Sequence, residues 1–366
     1  MERSNHYIFC GLAGVLCLLL SCSPSKDENE EITWDCRVSN TTDSVDIQSF
    51  FTHASILCLE ETEKSRIGQI AKAAFADTLL FIMDNRLSRQ IFVFNAETGK
   101  FLRTIGRVGH GPGEFVDITD MTVDVQKGYV YVLCEKERVC KYDFQGRYLE
   151  QKKISFFAEA VESVGDRFYF VCYRAGQGNV IIADREMNII KSHLINDPDE
   201  PVVIGIHPLQ KNKDGSLTFF RYLDNNIYVI DQDDNLPIRY RVDIGDNTFT
   251  REDARGNDIM QVLDMENNYR CNIKSFIEND VYASILFFDH GEPQMSFLNK
   301  KTGKVSTFSK EIMKDSALGY KSYLLEYAVG DAFVCEIGKK RIKEELVINK
   351  DCNYGLNPAL YFLHCK

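Results

Sequence analysis

From Val45 onward the chain alternates short apolar, β-branched or aromatic runs with tight polar turns. Six times a turn former precedes such a run. Asp77 leads into Leu79-Leu80-Phe81-Ile82-Met83, Gly128 into Tyr129-Val130-Tyr131-Val132-Leu133, and Gly165-Asp166 into Phe168-Tyr169-Phe170-Val171. Asp214-Gly215 leads into Leu217-Thr218-Phe219-Phe220, Asn279-Asp280 into residues 281–288, and Gly330-Asp331 into Ala332-Phe333-Val334-Cys335. Apolar runs of this length bounded by turn formers read as strands. Their recurrence about every 50 residues, with several strands per repeat, signals a β-propeller.

A second strand and turn follow in most repeats. Phe92-Val93-Phe94 runs into Asn95 and Gly99, Lys141-Tyr142 into Asp143 and Gly146, and Val180-Ile181-Ile182 into Asp184 and Asn188. Residues 227–230 run into Asp231 and Asn235, and Phe297-Leu298 into Asn299 and Gly303. Asp or Asn opens each turn, and Gly or Asn stands where a positive φ is expected, which is hairpin chemistry. Each repeat is therefore a four-stranded antiparallel meander, with these turns joining its third and fourth strands. The last repeat finds its third strand only at Ala359-Leu360-Tyr361-Phe362-Leu363, too close to Lys366 for a fourth. The unassigned run Ser55-Ile56-Leu57-Cys58-Leu59 can take that place. The fold class is thus all-β: a six-bladed propeller over residues 45–366, its ring closed by N- and C-terminal strands so that no edge is left open. Two stretches break the period with helical spacing, residues 250–267 (Ile259, Met260, Val262, Leu263) and a late insertion with Ile342, Leu346 and Val347.

Ahead of the repeats, Arg3 precedes an apolar run over residues 7–20, too short for the ~20 residues that span a bilayer, which predicts a cleaved signal peptide over residues 1–21. Leu19-Leu20-Ser21-Cys22 fits a bacterial lipobox, making Cys22 the lipidated first residue of the mature chain and the membrane its anchor. Residues 22–44, opening with Ser23-Pro24-Ser25-Lys26-Asp27-Glu28-Asn29-Glu30-Glu31, carry little to bury and read as a flexible acidic tether. Lys26-Asp27-Glu28 either belongs to that solvated linker or resembles the basic-then-acidic signal that sends bacterial lipoproteins to the cell surface. The expected address is the outer membrane of a bacterial envelope, on either its periplasmic or its surface side.

Charge and candidate chemistry narrow the function. The net charge of −11 argues against nucleic acid, whose phosphates need a basic face, and against electrostatic docking on anionic lipid. Of 12 cysteines, Cys10, Cys17 and Cys22 lie in the N-terminal segment. The odd remainder has no Cys-x-x-Cys pair, as a zinc site would, and reads as buried thiols, Cys58 among them, with a Cys134–Cys140 bridge left open. No His pair stands at metal-ligand spacing and no Gly-x-Ser-x-Gly elbow occurs. The Gly-rich residues 106–115 precede a strand-like stretch rather than a helix, so they read as a crossover between blades and not as a phosphate cradle. Asp231-Gln232-Asp233-Asp234-Asn235 starts like a calcium loop but has Leu236 and Val242 where Gly and Glu are required.

In a four-stranded blade the loop between strands two and three shares one face with the crossover to the next blade. On that face the sequence places Arg86, His110, Glu114, Arg138, Arg174, Arg221 and His290, a ring of groups suited to a polar ligand. Asp84, Glu135, Asp224, Asp289 and Glu336 accompany them.

The lipobox, the Asn95 to Gly99 turn followed by Phe101-Leu102-Arg103-Thr104-Ile105-Gly106, the Gly111-Pro112-Gly113-Glu114-Phe115 crossover and the late Asn357-Pro358-Ala359-Leu360-Tyr361 together resemble the six-bladed propeller lipoproteins of Bacteroidota, distant relatives of NHL-repeat propellers. The resemblance implies a propeller fold and an envelope location, and carries no agreed activity. Two functions follow as expectations. One is a lipid-anchored, non-catalytic module without a cofactor, binding a protein, a glycan or another polar small molecule. The other is an NHL-like lyase or hydrolase with a metal in its central channel.

Overall fold

The structure, a computed structural model, describes residues 31–37, 45–201, 205–212, 214–310, 313–314, 324–338 and 357–366. Cys22, Lys26-Asp27-Glu28 and the helical spacing at Ile342, Leu346 and Val347 lie outside them.

Six antiparallel four-stranded blades form the ring. Blade 1 comprises Lys72–Ala76, Leu79–Asp84, Gln90–Asn95 and Phe101–Ile105, and blade 2 Ile118–Asp124, Tyr129–Cys134, Arg138–Asp143 and Tyr148–Lys153. Blade 3 is Ala160–Val164, Arg167–Val171, Gly178–Ala183 and Ile189–Ile195; blade 4 is Leu209–Lys211, Leu217–Phe219, Asn226–Ile230 and Ile238–Asp243. Blade 5 is Arg270–Glu278, Tyr282–Asp289, Glu292–Asn299 and Val305–Ser309. Blade 6 takes Tyr327–Val329, Ala332–Ile337 and Ala359–Cys365 from the end of the chain and Phe51–Cys58 from its beginning. Phe362 pairs with Ser55 in that seam, closing the ring as the missing fourth strand requires.

Burial explains the sequence pattern. Second strands lie between neighbouring blades and are covered on both faces, so they read as unbroken apolar runs; Leu80 to Asp84 are all buried. Fourth strands face solvent and lose the pattern, as Tyr148–Lys153 does. The hairpin turns after the third strands are held by their first side chain. Asn95, Asp143, Asp184, Asp231 and Asn299 each accept two main-chain N–H bonds from the turn they open. Positive φ falls on Gly99, Gly146 and Gly303 as expected, but in blades 3 and 4 on Met187 and Asp234, one residue ahead of the Asn expected to adopt it. There the Asn side chain instead donates back to the Asp that opens the turn.

The Gly-rich crossover from blade 1 to blade 2 is a closed turn. Residues Arg107–Val108 and Glu114–Phe115 pair in parallel, and the Glu114 carboxylate accepts from Gly111 N at 2.8 Å and from Arg107 Nε at 2.5 Å. Gly113 has φ +72°, and a Cβ there would lie 2.6 Å from the Tyr148 ring, so only glycine fits. The helical spacing in residues 250–267 becomes Arg251–Ala254 and Ile259–Met265, each opened by a capping box, from Thr250 and Asp258.

Two expectations are corrected. Within the stretch expected to be a flexible tether, Ile32–Asp35 is a fifth strand on blade 4, running parallel to Ile238–Asp243. Trp34 drives this: it is fully buried, packs edge-on against Tyr240 at 5.7 Å, and donates from Nε1 to Ser296 Oγ of blade 5 at 3.0 Å. Cys58, expected to be a buried thiol, is disulfide-bonded. Cys134 and Cys140 are free and buried.

Candidate functional site

The first strands of the blades are the innermost. Neighbouring ones touch, and residues of all six line one central channel of about 720 Å³. In an antiparallel meander the first and third turns lie at one end of the blade, and the second loop with the crossover at the other. The exposed lining residues Val125, Asp214, Asp280 and Gly330 belong to first turns, and Lys300 to a third turn, so the mouth opens at the hairpin end.

Two walls of different character face each other across the channel. Blades 1, 2 and 6 present Ala74, Phe75, Val123, Val125, Ala328 and Val329, with Lys72, Glu326 and Tyr327 nearer the crossover end. Blades 3, 4 and 5 present Glu162, Lys211, Asp214, Arg239, Glu278 and Lys300. On the charged wall Glu278 Oε2 accepts from Tyr240 Oη at 2.9 Å and lies 3.0 Å from Lys300 Nζ and 3.5 Å from Arg239 Nη2, while its Oε1 is buried without a hydrogen-bond partner. Among the described residues the Lys211 ammonium bonds only to the Val123 carbonyl, at 3.3 Å, so protons remain for a ligand. Desolvation at the mouth would raise the Asp214 carboxyl, but bonds from Ser216 and the charges of Arg239 and Lys300 hold it below the usual range.

Toward the crossover end a buried triad joins three blades. Lys72 Nζ lies 3.0 Å from Asp120 Oδ1 and 2.9 Å from Glu162 Oε1. Val161 N donates to Asp120 Oδ2 at 2.7 Å and Thr122 Oγ1 to Glu162 Oε2 at 2.7 Å. Burial disfavours the lysine's charge, yet the two carboxylates outweigh it and keep the ammonium well above its ordinary range. Burial also raises the Asp120 carboxyl, whereas for Glu162 the Lys72 and Lys211 charges overcome burial and lower it. The His207 ring lies 5.1 Å from that of Tyr327, tilted by 43°; burial, then the Lys72 charge, push it down to about 4, so it is neutral at pH 7. Burial and the neighbouring Glu336 carboxylate raise Glu326 to about 7. Its Oε2 has no hydrogen-bond partner.

The residues singled out from sequence sit elsewhere. Arg86, His110, Glu114, Arg138, Arg174, Arg221 and His290 occupy the second loops and crossovers, at the end opposite the mouth, and none lines the channel. The structure brings together Glu114 and Arg138, whose guanidinium donates to the Glu114 carbonyl at 3.3 Å and pairs with Glu135 at 2.8 Å. The structure does not bring the others together. Arg221 pairs with Asp224 at 2.8 Å, His290 with Asp289 at 2.6 Å, Arg174 lies over the Phe157 ring at 4.7 Å, and Arg86 and His110 are exposed. Among the described residues no three His, Cys, Asp or Glu side chains gather as a metal set.

Sequence reading missed Lys72, Glu162, His207, Lys211, Arg239, Glu278 and Lys300. A signal existed for four of them: Lys72, Glu162, Lys211 and Glu278 each stand two to five residues before one of the recurring turn markers. A first strand lines the channel, so a charged residue interrupting it marks the lining.

Among solved structures the chain is similar to a Bacteroides fragilis protein assigned as exported, at 17% identity with a TM-score of 0.75, covering 92% of this chain and 100% of that one. It is also similar to a member of the DUF4221 family from Bacteroides vulgatus, at 12% identity with a TM-score of 0.51, covering 88% and 95%. At these identities the likeness is one of fold. No curated protein matches the chain. The family described as "Domain of unknown function (DUF4934)" matches residues 30–358, nearly the whole propeller with the Trp34 strand included, and the chain belongs to that family.

Proposed function

We propose that this chain is a non-catalytic binding module of the bacterial cell envelope, anchored by lipid on Cys22, that seats a small polar ligand in its central channel. The two-walled lining carries the reading. Lys211, Arg239 and Lys300 supply donors for an acidic or hydroxylated group, and the wall of Phe75, Val123, Val125 and Val329 takes an apolar part. A volume of about 720 Å³ lies within the ~300–1,000 Å³ of small-molecule sites. The crossover rim, with Arg86, His110, Glu114, Arg138, Arg174, Arg221 and His290, is the surface offered to a protein partner.

Three observations support the envelope address. The apolar run ends in Leu19-Leu20-Ser21-Cys22, Cys58 is disulfide-bonded, as in oxidising compartments, and the Bacteroides fragilis relative is assigned as exported.

The test is a thermal-shift and calorimetric panel of sugar acids, hydroxy acids and amphipathic carboxylates. At least one binds the native protein, is excluded by Ala328→Trp, which obstructs the channel, and binds Lys211→Met at least tenfold more weakly. A panel in which every hit survives Ala328→Trp overturns the channel as the site. For the anchor, the membrane-extracted protein carries the mass of acyl chains and Cys22→Ser does not.

A further inference from the structure

We propose that the face bearing the channel mouth is turned toward the membrane, so that ligand enters from the gap between protein and bilayer. The inference rests on the lipid-anchor reading above and adds an orientation to it.

The direction of the Ile32–Asp35 strand is the central observation. It runs parallel to Ile238–Asp243, with Ile32 opposite Tyr240 and Asp35 opposite Asp243. Fourth strands run from the hairpin end to the crossover end, so this strand also enters at the hairpin end. Its first residue stands beside Tyr240, the neighbour of Arg239, which lines the channel. Glu31, one residue earlier, pairs with Arg241 through Nε at 2.7 Å and Nη2 at 3.1 Å. The entry point is fixed, because Trp34 is buried between blades 4 and 5 and bonded to Ser296, and Cys36 N donates to Asp243 O at 2.7 Å.

Chain length converts this entry point into an orientation. Ten chain steps lead from Cys22 to Ile32, so the anchor lies within ~34 Å of the strand's start even when fully extended. A flexible chain of that length averages ~17 Å. A blade whose strands have about six residues is ~20 Å tall before its loops are counted. With the mouth toward the bilayer, an ordinary chain spans the distance. With the crossover rim toward it, the same ten steps must also cover the ~20 Å blade height and its loops, which takes most of their ~34 Å reach. Surface charge supplies no competing preference for anionic lipid, since the chain carries a net charge of −11.

Two consequences follow. The ligand is one present at the membrane surface, and the Lys211, Arg239 and Lys300 wall meets it there. The crossover rim, with Leu87 at 75% and Met260 at 71% exposure, points away from the bilayer, where a soluble partner can reach it.

The experiment uses the full lipidated protein in phosphatidylcholine vesicles containing headgroup-labelled acceptor lipid. Donor dyes are placed on Gln126→Cys, in the first turn of blade 2, or on Leu87→Cys, in the second loop of blade 1. Mass spectrometry of the same sample reports whether Cys22 carries lipid. Energy transfer to the bilayer is at least twofold stronger from position 126 than from position 87, and a 20-residue Gly/Ser insertion after Ser25 erases the difference. Equal or reversed transfer from a sample whose Cys22 is acylated overturns the orientation and leaves the anchor reading standing. Absence of acyl chains on Cys22 overturns the anchor reading, and the orientation falls with it.

Discussion

The two ends of the propeller spend their charged residues differently. At the crossover rim partly exposed cations pair close by in sequence, as Arg107 does with Glu114 and Arg138 with Glu135. Inside the channel the partners come from different blades: Lys72 of blade 1 meets Asp120 of blade 2 and Glu162 of blade 3, and Lys300 of blade 5 shares Glu278 with Arg239 of blade 4. A rim pair organises one loop. A channel pair ties blades to one another, and because the groups are buried, each depends on its partners to remain charged.

Removing one member of each kind of pair gives the largest contrast. Lys72→Met leaves the Asp120 and Glu162 carboxylates facing each other in a buried site, which costs about 3–5 kcal/mol. Urea unfolding is expected to show that loss as a lower midpoint with an unchanged slope. The counterpart Arg107→Ala in the crossover, where the guanidinium paired with Glu114 is exposed, costs about 1 kcal/mol or less. Equal losses at the two sites would erase the distinction between the ends.

Acidity sharpens the comparison within the channel. The Glu326 carboxyl ionises near 4.5 when unfolded and at about 7 in the fold, through burial and the Glu336 carboxylate. Between those pH values the folded chain holds a proton that the unfolded chain has released. Stability therefore falls as pH rises from about 4.5 to 7 and levels off above. His207 works in the opposite sense, since its neutral folded state loses stability as pH falls from 6.5 toward 4. Glu326→Gln removes the first effect. Because Glu326 is only partly buried, the gain at pH 8 is about 1–2 kcal/mol, or a few degrees in Tm for a domain of this size, and it vanishes at pH 4.5. A variant whose advantage over the native protein is the same at pH 4.5 and pH 8 would contradict the assignment.

The rim was legible in the sequence and the channel was not, for a physical reason. Asx-opened hairpin turns such as Asp143 to Gly146 are local, so their spacing reveals the blades, and the same spacing exposed the missing strand that Phe51–Cys58 supplies. Rim residues follow directly, because loop order alone places them. The channel depends on which way side chains point in first strands as short as Leu209–Lys211, where alternation has too few positions to be read. Its partners lie in other blades, as do those of the N-terminal strand: Trp34 is held by Ser296, 262 residues away, and the acidic run before it masks a short β-forming stretch. Cys58 likewise sits in an apolar run that gave no sign of its disulfide.

The smallest expected effect separates binding from folding. Lys211 makes no ion pair among the described residues, and its charge only assists Lys72 in keeping Glu162 ionised, so Lys211→Met costs no more than about 1 kcal/mol. A ligand carboxylate loses a charge-assisted hydrogen bond there, and its affinity drops about tenfold, equivalent to ~1.4 kcal/mol. Rim substitutions Arg86→Ala, Arg174→Ala and Arg221→Ala, made together, leave that affinity unchanged and weaken co-purification of a protein partner. Calorimetry on the two variants with the same ligand decides the matter. If the triple rim variant loses the ligand and Lys211→Met keeps it, the small-molecule site belongs to the rim, and the unpaired lysine in the channel is a solvated charge like those on the outer strands.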